Sequence, residues 1–175
     1  MLPDGFRTPR LTLRPIVPED AKPIFEAYAR DAAVSRYLVW QPHRSLKDTS
    51  AYIAHCVATP PDVDRTYVVA GSDGQVLGAF ELRQPATHRL EFGYVLARPW
   101  WGRGLMTEAL TEVVQWAMRQ DDVFRIGAVC DVENVASARV MEKAGMIREG
   151  LLRRWMIHPN ISDEPRDCFS YARVR

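Results

Sequence analysis

Only three of the 175 residues are cysteine, Cys56, Cys130 and Cys168, and no two of them stand at C-x-x-C spacing. An odd number of scattered thiols excludes a complete disulfide framework and leads us to expect reduced cysteines in a cytoplasmic protein. Histidine is also sparse. His43, His55, His88 and His158 form no H-E-x-x-H or H-x-x-x-H pair, so no metal site is expected. No apolar run approaches the ~20 residues that span a bilayer. The opening MLPDGFRTPR lacks the apolar stretch of a signal peptide. Neither charge sign is in excess: 23 Lys and Arg against 22 Asp and Glu leave a net charge of +1. That balance argues against nucleic acid or a membrane surface as a partner. No G-x-x-x-x-G-K-S/T loop occurs, and the single G-x-G-x-x string, Gly102 to Thr107, lacks the third glycine of a dinucleotide fingerprint.

What is present is an ordinary globular composition, 47% hydrophobic and 26% charged. A chain of this length reads as one domain, residues 1–175, and buries roughly 70% of its unfolded surface without staples. RLTLRPI alternates Leu11, Leu13 and Ile16 with polar residues and predicts a strand. PEDAKPIFEAYARD predicts a helix with Pro23 in its first turn, and SLKDTSAYIAHCVA a second helix capped by Ser45. RTYVVAG and VLGAFELR read as strands joined by the SDGQ turn. RLEFGYVLAR is a further strand, with Leu90, Phe92, Tyr94 and Leu96 on one face and Glu91, Gly93 and Val95 on the other.

A helix follows through about Arg119, its stripe made of Leu105, Ala109, Leu110, Val113, Val114, Ala117 and Met118. FRIGAVCDV is a strand and NVASARVMEKAG a short helix, with Asn134 as N-cap and Gly145 just past its end. Strands at about 147–157 and 166–174 close the chain. The order β-α-α-β-β-β-α-β-α-β-β describes a mixed α+β domain, with one helical crossover in its middle sheet.

Between strand and helix lies PWWGRGLM. Free amides and the positive dipole end at a helix start attract an anion. Gly102 and Gly104 let the backbone approach it, and Arg103 adds charge. The same glycines equally suit a plain tight turn. Trp100 is expected near the surface, and Trp101 either beside the ligand or in the core.

LEFGYVLARPWWGRGLMTEAL together with NVASARVMEKAGM resembles the GNAT superfamily of N-acetyltransferases, and within it the RimJ/RimL branch that acetylates ribosomal-protein N-termini. The likeness runs from TPRLTLRPIVPEDAKPIFEAY to GLLRRW, nearly the whole chain. It implies a mixed sheet that splays between the strand at 89–97 and the one at 124–131, with acetyl-CoA as cosubstrate in the opening. Val95 and Leu96 would border the cofactor. The amides of Trp101, Gly102, Arg103, Gly104, Leu105 and Met106 would meet its pyrophosphate. Asn134 would contact the pantetheine arm, and Ser137 would lie near the sulfur. Pro99 stands where the family commonly has Arg or Gln.

Glu91, which the resemblance matches to a glutamate in many relatives, is the candidate base; the alternative is a solvated strand residue. Met141 replaces the tyrosine that many relatives use to protonate the leaving thiolate. That leaves Ser137, or a water it holds, to support the sulfur. Cys130 reads as a small buried hydrophobe. Tyr37, Trp40 and Arg44 are expected on the acceptor side. The implied activity is acetyl transfer to a primary amine, either a protein N-terminus or a small molecule. A non-catalytic acyl-CoA sensor is the alternative. A homodimer through the edge of the C-terminal strands is a further expectation.

Overall fold

The computed structural model describes residues 2–175. Eight strands form one sheet in the order β1-β2-β3-β4-β5-β6-β8-β7. They are β1 (Phe6–Arg7), β2 (Leu11–Pro15), β3 (Asp64–Gly71), β4 (Val76–Ala86), β5 (Arg89–Leu96), β6 (Arg125–Asp131), β7 (Ile147–Met156) and β8 (Arg166–Val174). The helices are α1 (Ala21–Ile24), α2 (Ala32–Ser35), α3 (Leu46–Ala58), α4 (Leu105–Met118) and α5 (Val135–Lys143). This is the mixed α/β architecture that the element order predicts.

Two elements are additions to that order: the two-residue β1 and the single-turn α2, both too short to show a period. The first expected helix is divided. A 3-10 turn at Pro18–Asp20 leads into α1, and a π turn at Phe25–Ala29 follows it. Pro23 lies in the first turn of α1, where a missing amide leaves no hydrogen bond unmade. Ser45 caps α3 in a capping box with Asp48, which accepts from the Ser45 amide at 2.9 Å. Such a cap is worth about 1 kcal/mol.

Alternation along the strands builds two cores. On one face, Leu82, Leu90, Phe92 and Ile126 pack against the α4 stripe. Leu105, Met106, Ala109, Leu110, Val113, Val114 and Ala117 of α4 are all buried there, and Met118 is partly buried. Burying each Leu or Val side chain contributes about 1.5–3 kcal/mol, far more than helix propensity does. On the other face, Val68, Ala70, Ala79 and Ala97 pack against Ile24 and Tyr28, near Ile53 of α3.

All neighbouring strands pair antiparallel except β5 and β6. That parallel pair holds for only three positions, Arg89–Arg125, Leu90–Ile126 and Glu91–Gly127. Beyond Glu91, β5 stays with β4 up to Leu96, and β6 stays with β8 up to Asp131. The sheet therefore opens into a wedge. At the far edge, β7 leaves one side unpaired and exposes Ile147, Leu151 and Trp155.

β4 runs tight against β5 at Gly78, where a Cβ would stand 2.1 Å from the Val95 carbonyl oxygen. Backbone, not a pliant side chain, is the obstacle. Gly78→Ala is therefore expected to cost about 1–3 kcal/mol by forcing the strands apart. Gly150→Ala, with open space around its Cβ, should stay within about 0.5 kcal/mol of the parent. Equal denaturation midpoints for the two variants would contradict the close approach.

Candidate active site

The wedge continues into a cavity of about 660 Å³ that reaches both faces of the sheet. Its walls include Tyr94, Cys130, Asn134 and Ser137 on the α4–α5 side, and Glu81, Glu91 and Gly93 on the other. The Ala97 amide donates to the Leu77 carbonyl at 2.8 Å. Antiparallel bonding alternates, so the odd-numbered residues of β5 turn their amides and carbonyls toward β4. The carbonyl of Phe92 and the amide and carbonyl of Tyr94 face the wedge, where β6 has departed. An extended chain with amide groups of its own can pair there as a missing strand would.

At the mouth of α4, Gly102 and Gly104 have φ of +73° and +74°, a left-handed conformation that glycine adopts without a Cβ penalty. The Glu108 amide is the first to reach back, to the Gly104 carbonyl at 3.0 Å. The amides of residues 102–107 have no backbone acceptor among the described residues. Trp101 differs from expectation, because its amide already donates to the Arg98 carbonyl at 3.2 Å. The amides open to an anion therefore begin at Gly102, one residue later than the sequence suggests. Arg103 lies over the Trp100 ring at 4.8 Å. From outside the turn, Arg10 donates to the Arg103 carbonyl at 3.1 Å and to Glu108 at 2.6 Å.

The tryptophans differ in part from expectation: Trp100 is not a surface residue, and Trp101 is not in the core. Trp100 is partly buried and packs against both cores. Trp101 is 48% exposed, with its indole Nε1 donating to the Leu96 carbonyl at 2.6 Å. A hydrogen bond to the strand end ties the loop down, so exposure of the ring is tolerated.

On α5, Asn134 Oδ1 accepts from the Ser137 amide at 3.2 Å and caps the helix. Gly145, with φ of +82°, closes the other end. The Ser137 hydroxyl is 2.8 Å from the Tyr94 hydroxyl. Tyr94 is a residue that sequence reasoning missed. Its face was foreseen, but the pairing depends on how α5 docks, for which spacing gives no signal. Burial, outweighing the Ser137 bond, pushes the Tyr94 phenol well above its usual range, so it stays neutral and can donate. Met141 is buried beside this pair and lines the cavity. Glu91 lines it too, half-exposed and 3.6 Å from Arg89.

Glu81 was also missed, because FELR reads as any half-buried strand. Register brings it opposite Gly93, where a Cβ would lie 3.4 Å from its Oε2. Burial pushes its carboxyl up to about 7, opposed by Arg83 at 2.8 Å and reinforced by Asp64.

Of the residues expected on the acceptor side, Tyr37 and Trp40 line the cavity. Arg44 is exposed outside that lining, with its amide on Asp48 at 2.9 Å. Asn160 clamps the loop, donating to the Ser35 and Trp40 carbonyls at 2.7 and 2.8 Å. Of the cofactor-side strand residues, Val95 lines the cavity and Leu96 does not, its carbonyl accepting from the Trp101 indole.

Residues 10–147 match the acetyltransferase (GNAT) domain family. The chain belongs to that family. An uncharacterized N-acetyltransferase of Bacillus subtilis, YoaA, is 29% identical over 174 residues, 97% of this chain and 96% of its own. A GNAT-family acetyltransferase from Bacillus anthracis superposes with a TM-score of 0.84 at 25% identity, covering 97% and 98% of the two chains. The [ribosomal protein uS5]-alanine N-acetyltransferase of Escherichia coli is 29% identical over 97 residues, 55% of this chain and 46% of its own.

This GNAT acetyltransferase thus takes acetyl-CoA as cosubstrate, and the site fits that molecule. Unpaired amides suit phosphate, and an open strand edge suits an amide-bearing arm. No group of three His, Cys, Asp or Glu among the described residues could hold a metal. No helix among them is long and apolar enough to cross a membrane.

Cys130, inside the wedge, is held as a thiol. Burial pushes its thiol up to about 12, against 9.0 for an ordinary cysteine. The thiolate fraction falls about a thousandfold, and reactivity follows the thiolate. Iodoacetamide at pH 8 should therefore label Cys130 only after unfolding, as read by peptide mass spectrometry. Rapid labelling of the native protein would contradict the buried placement.

Proposed function

We propose that this acetyltransferase transfers acetyl directly to a primary amine, specifically the α-amino group of a protein N-terminus, in the manner of the RimJ/RimL branch. The observation that carries this reading is the single cavity crossing the sheet through the β5–β6 wedge. Hydroxyl donors stand on one side and carboxylates on the other. Direct transfer suits that arrangement: the amine adds to the thioester carbonyl and the tetrahedral adduct then expels the thiolate, so a carboxylate near the amine and a hydroxyl donor near the sulfur each have a role. The uS5-alanine enzyme, which by its name N-acetylates an alanine of a ribosomal protein, supports the acceptor class. Chemistry supports it as well: an α-amine with a pKa near 7.7–8.0 is about one-tenth neutral at pH 7, whereas a lysine near 10.4 is almost wholly charged.

In this reading the phosphates rest on the amides of residues 102–106 with Arg103 beside them. Asn134 borders the arm while capping α5. Ser137, held by Tyr94, gives a hydrogen bond to the departing sulfur. Glu91 and Glu81 present carboxylates to the incoming ammonium and a destination for its proton. Tyr37 and Trp40 flank the acceptor.

The direct test is thiol release from acetyl-CoA with an alanyl peptide amide and a panel of small amines. Saturable release with at least one primary amine is expected. Tight CoA binding with no release from any amine would overturn the reading.

Two variants probe the parts. Gly104→Val should weaken CoA binding more than tenfold, above ~1.4 kcal/mol, by calorimetry. Gly74→Val carries the same left-handed strain away from the cavity and should leave affinity unchanged. Ser137→Ala should lower kcat by about 10- to 1000-fold with CoA affinity intact, since its bond strengthens only as sulfur gains charge. An unchanged kcat would remove Ser137 from the chemistry.

A further inference from the structure

Glu91 sits where the strands are still paired, opposite Gly127 and beside Arg89. A second carboxylate, that of Glu81, occupies the same face one strand farther in. Thr66 and Gly93 are its cross-strand neighbours on either side. Gly93 has no side chain to cover it, so the carboxylate overhangs the floor of the cavity beside the open wedge. Behind it stands Asp64 of β3, whose Oδ1 is buried with no hydrogen-bond partner. A protonated Glu81 reaches that carboxylate; an ionised Glu81 repels it.

The other titratable groups around Glu81 are Arg83 on its own strand, Arg89 and Glu91 from β5, Arg125 from β6, and Tyr52 and Cys56 from α3. Burial pushes Tyr52 and Cys56 upward, so both stay neutral. Among the described residues, Arg83 is the one cation in hydrogen-bond contact with Glu81, at 2.8 Å.

We propose that Glu81 is the catalytic base of this site, taking the proton of the acceptor ammonium, while Asp64 positions and tunes it and Glu91 draws the ammonium in. This rests on the acetyltransferase reading above. The balance is simple. The ammonium gives one proton to the Glu81 carboxylate and becomes a neutral amine. Its lone pair forms the C–N bond, and the C–S bond breaks. The second proton leaving nitrogen ends on the departing thiolate. The proton held by Glu81 then passes to water, so each turnover releases one.

A base that titrates near 7 matches this acceptor. Proton transfer from an α-ammonium near 7.7–8.0 is uphill by only about tenfold, and from a lysine ammonium near 10.4 by more than a thousandfold. The same carboxylate therefore discriminates N-termini from lysine side chains.

The experiment is a set of pH–rate profiles with an alanyl peptide amide as the acceptor. A peptide with a blocked N-terminus and a free lysine serves as comparison. The wild-type kcat/KM should rise through about pH 7, with the lysine peptide far poorer. Glu81→Gln must wait for free amine. Its kcat/KM at pH 6.5 should fall by about 10²-fold or more and recover in part toward pH 9. Glu91→Gln should raise KM for the peptide yet keep the limb near 7. Asp64→Asn removes a carboxylate that holds Glu81 up, so its limb should move to lower pH, a displacement that a merely structural loss would not produce.

A fold check is independent of turnover. Glu81→Gln should melt higher than wild type at pH 8, where the buried carboxylate is charged, and the two should converge near pH 5. A Glu81→Gln enzyme that keeps the wild-type limb overturns the proposal and leaves the acetyltransferase reading standing. Loss of the limb in Glu91→Gln instead does the same. A wild type that turns over no amine overturns both.

Discussion

Everything at this site depends on one failure of pairing: β5 and β6 separate after Glu91 and Gly127. Exposed strand edges inside a protein are costly, because unpaired amides and carbonyls lose several kcal/mol of solvation with nothing in return. Here each strand is fully held on its other side, β5 by β4 and β6 by β8. The wedge can therefore open without unravelling the sheet. The N-terminus of α5 stands against it, and the Tyr94–Ser137 hydrogen bond of 2.8 Å spans from β5 to that helix. The cost of leaving the Phe92 carbonyl and the Tyr94 backbone groups unpaired is offset when a ligand with matching amides lies in the wedge. A fold with a gap of this kind is built around its cosubstrate.

The glycine turn and the two tryptophans answer to the same constraint. The chain leaves β5 at Leu96 and must turn to start α4 with the amides of residues 102–107 left free. Two left-handed residues make that turn. Trp100 anchors the loop between the cores, and Trp101 binds the last strand carbonyl. An indole spent on a backbone carbonyl does two jobs here, because it satisfies a group that β6 no longer reaches and it holds the turn in place.

Sequence made much of this legible. Alternation in RLEFGYVL, the SDGQ turn, the Ser45 and Asn134 caps and the glycine pair each act within a few residues, so their signals are local. The family resemblance supplied the wedge. Whatever required register between distant strands was hidden. Glu81 becomes notable only when placed opposite Gly93 with Asp64 behind it. Tyr94 becomes notable only when α5 docks, 43 residues later in the chain. The places of Trp100 and Trp101 were not legible, because two adjacent aromatics in a loop have no period to say which one points inward.

Glu81 also illustrates why such a residue is found where a site exists. Its carboxyl titrates near 7 in the fold against 4.5 for a free group, so between those values the folded chain binds a proton that the unfolded chain does not. The folded state is favoured by this group's protonation only at low pH, and stability declines as pH rises from about 4.5 through 7. A third of the side chain is open to solvent, which softens the effect without reversing its sign. Glutamine would fill the same volume with no such decline, so packing gives no reason for a carboxylate here. A half-buried acid that weakens the fold at neutral pH, set beside an orphan carboxylate oxygen and overlooking an open wedge, is accounted for by proton transfer at that wedge.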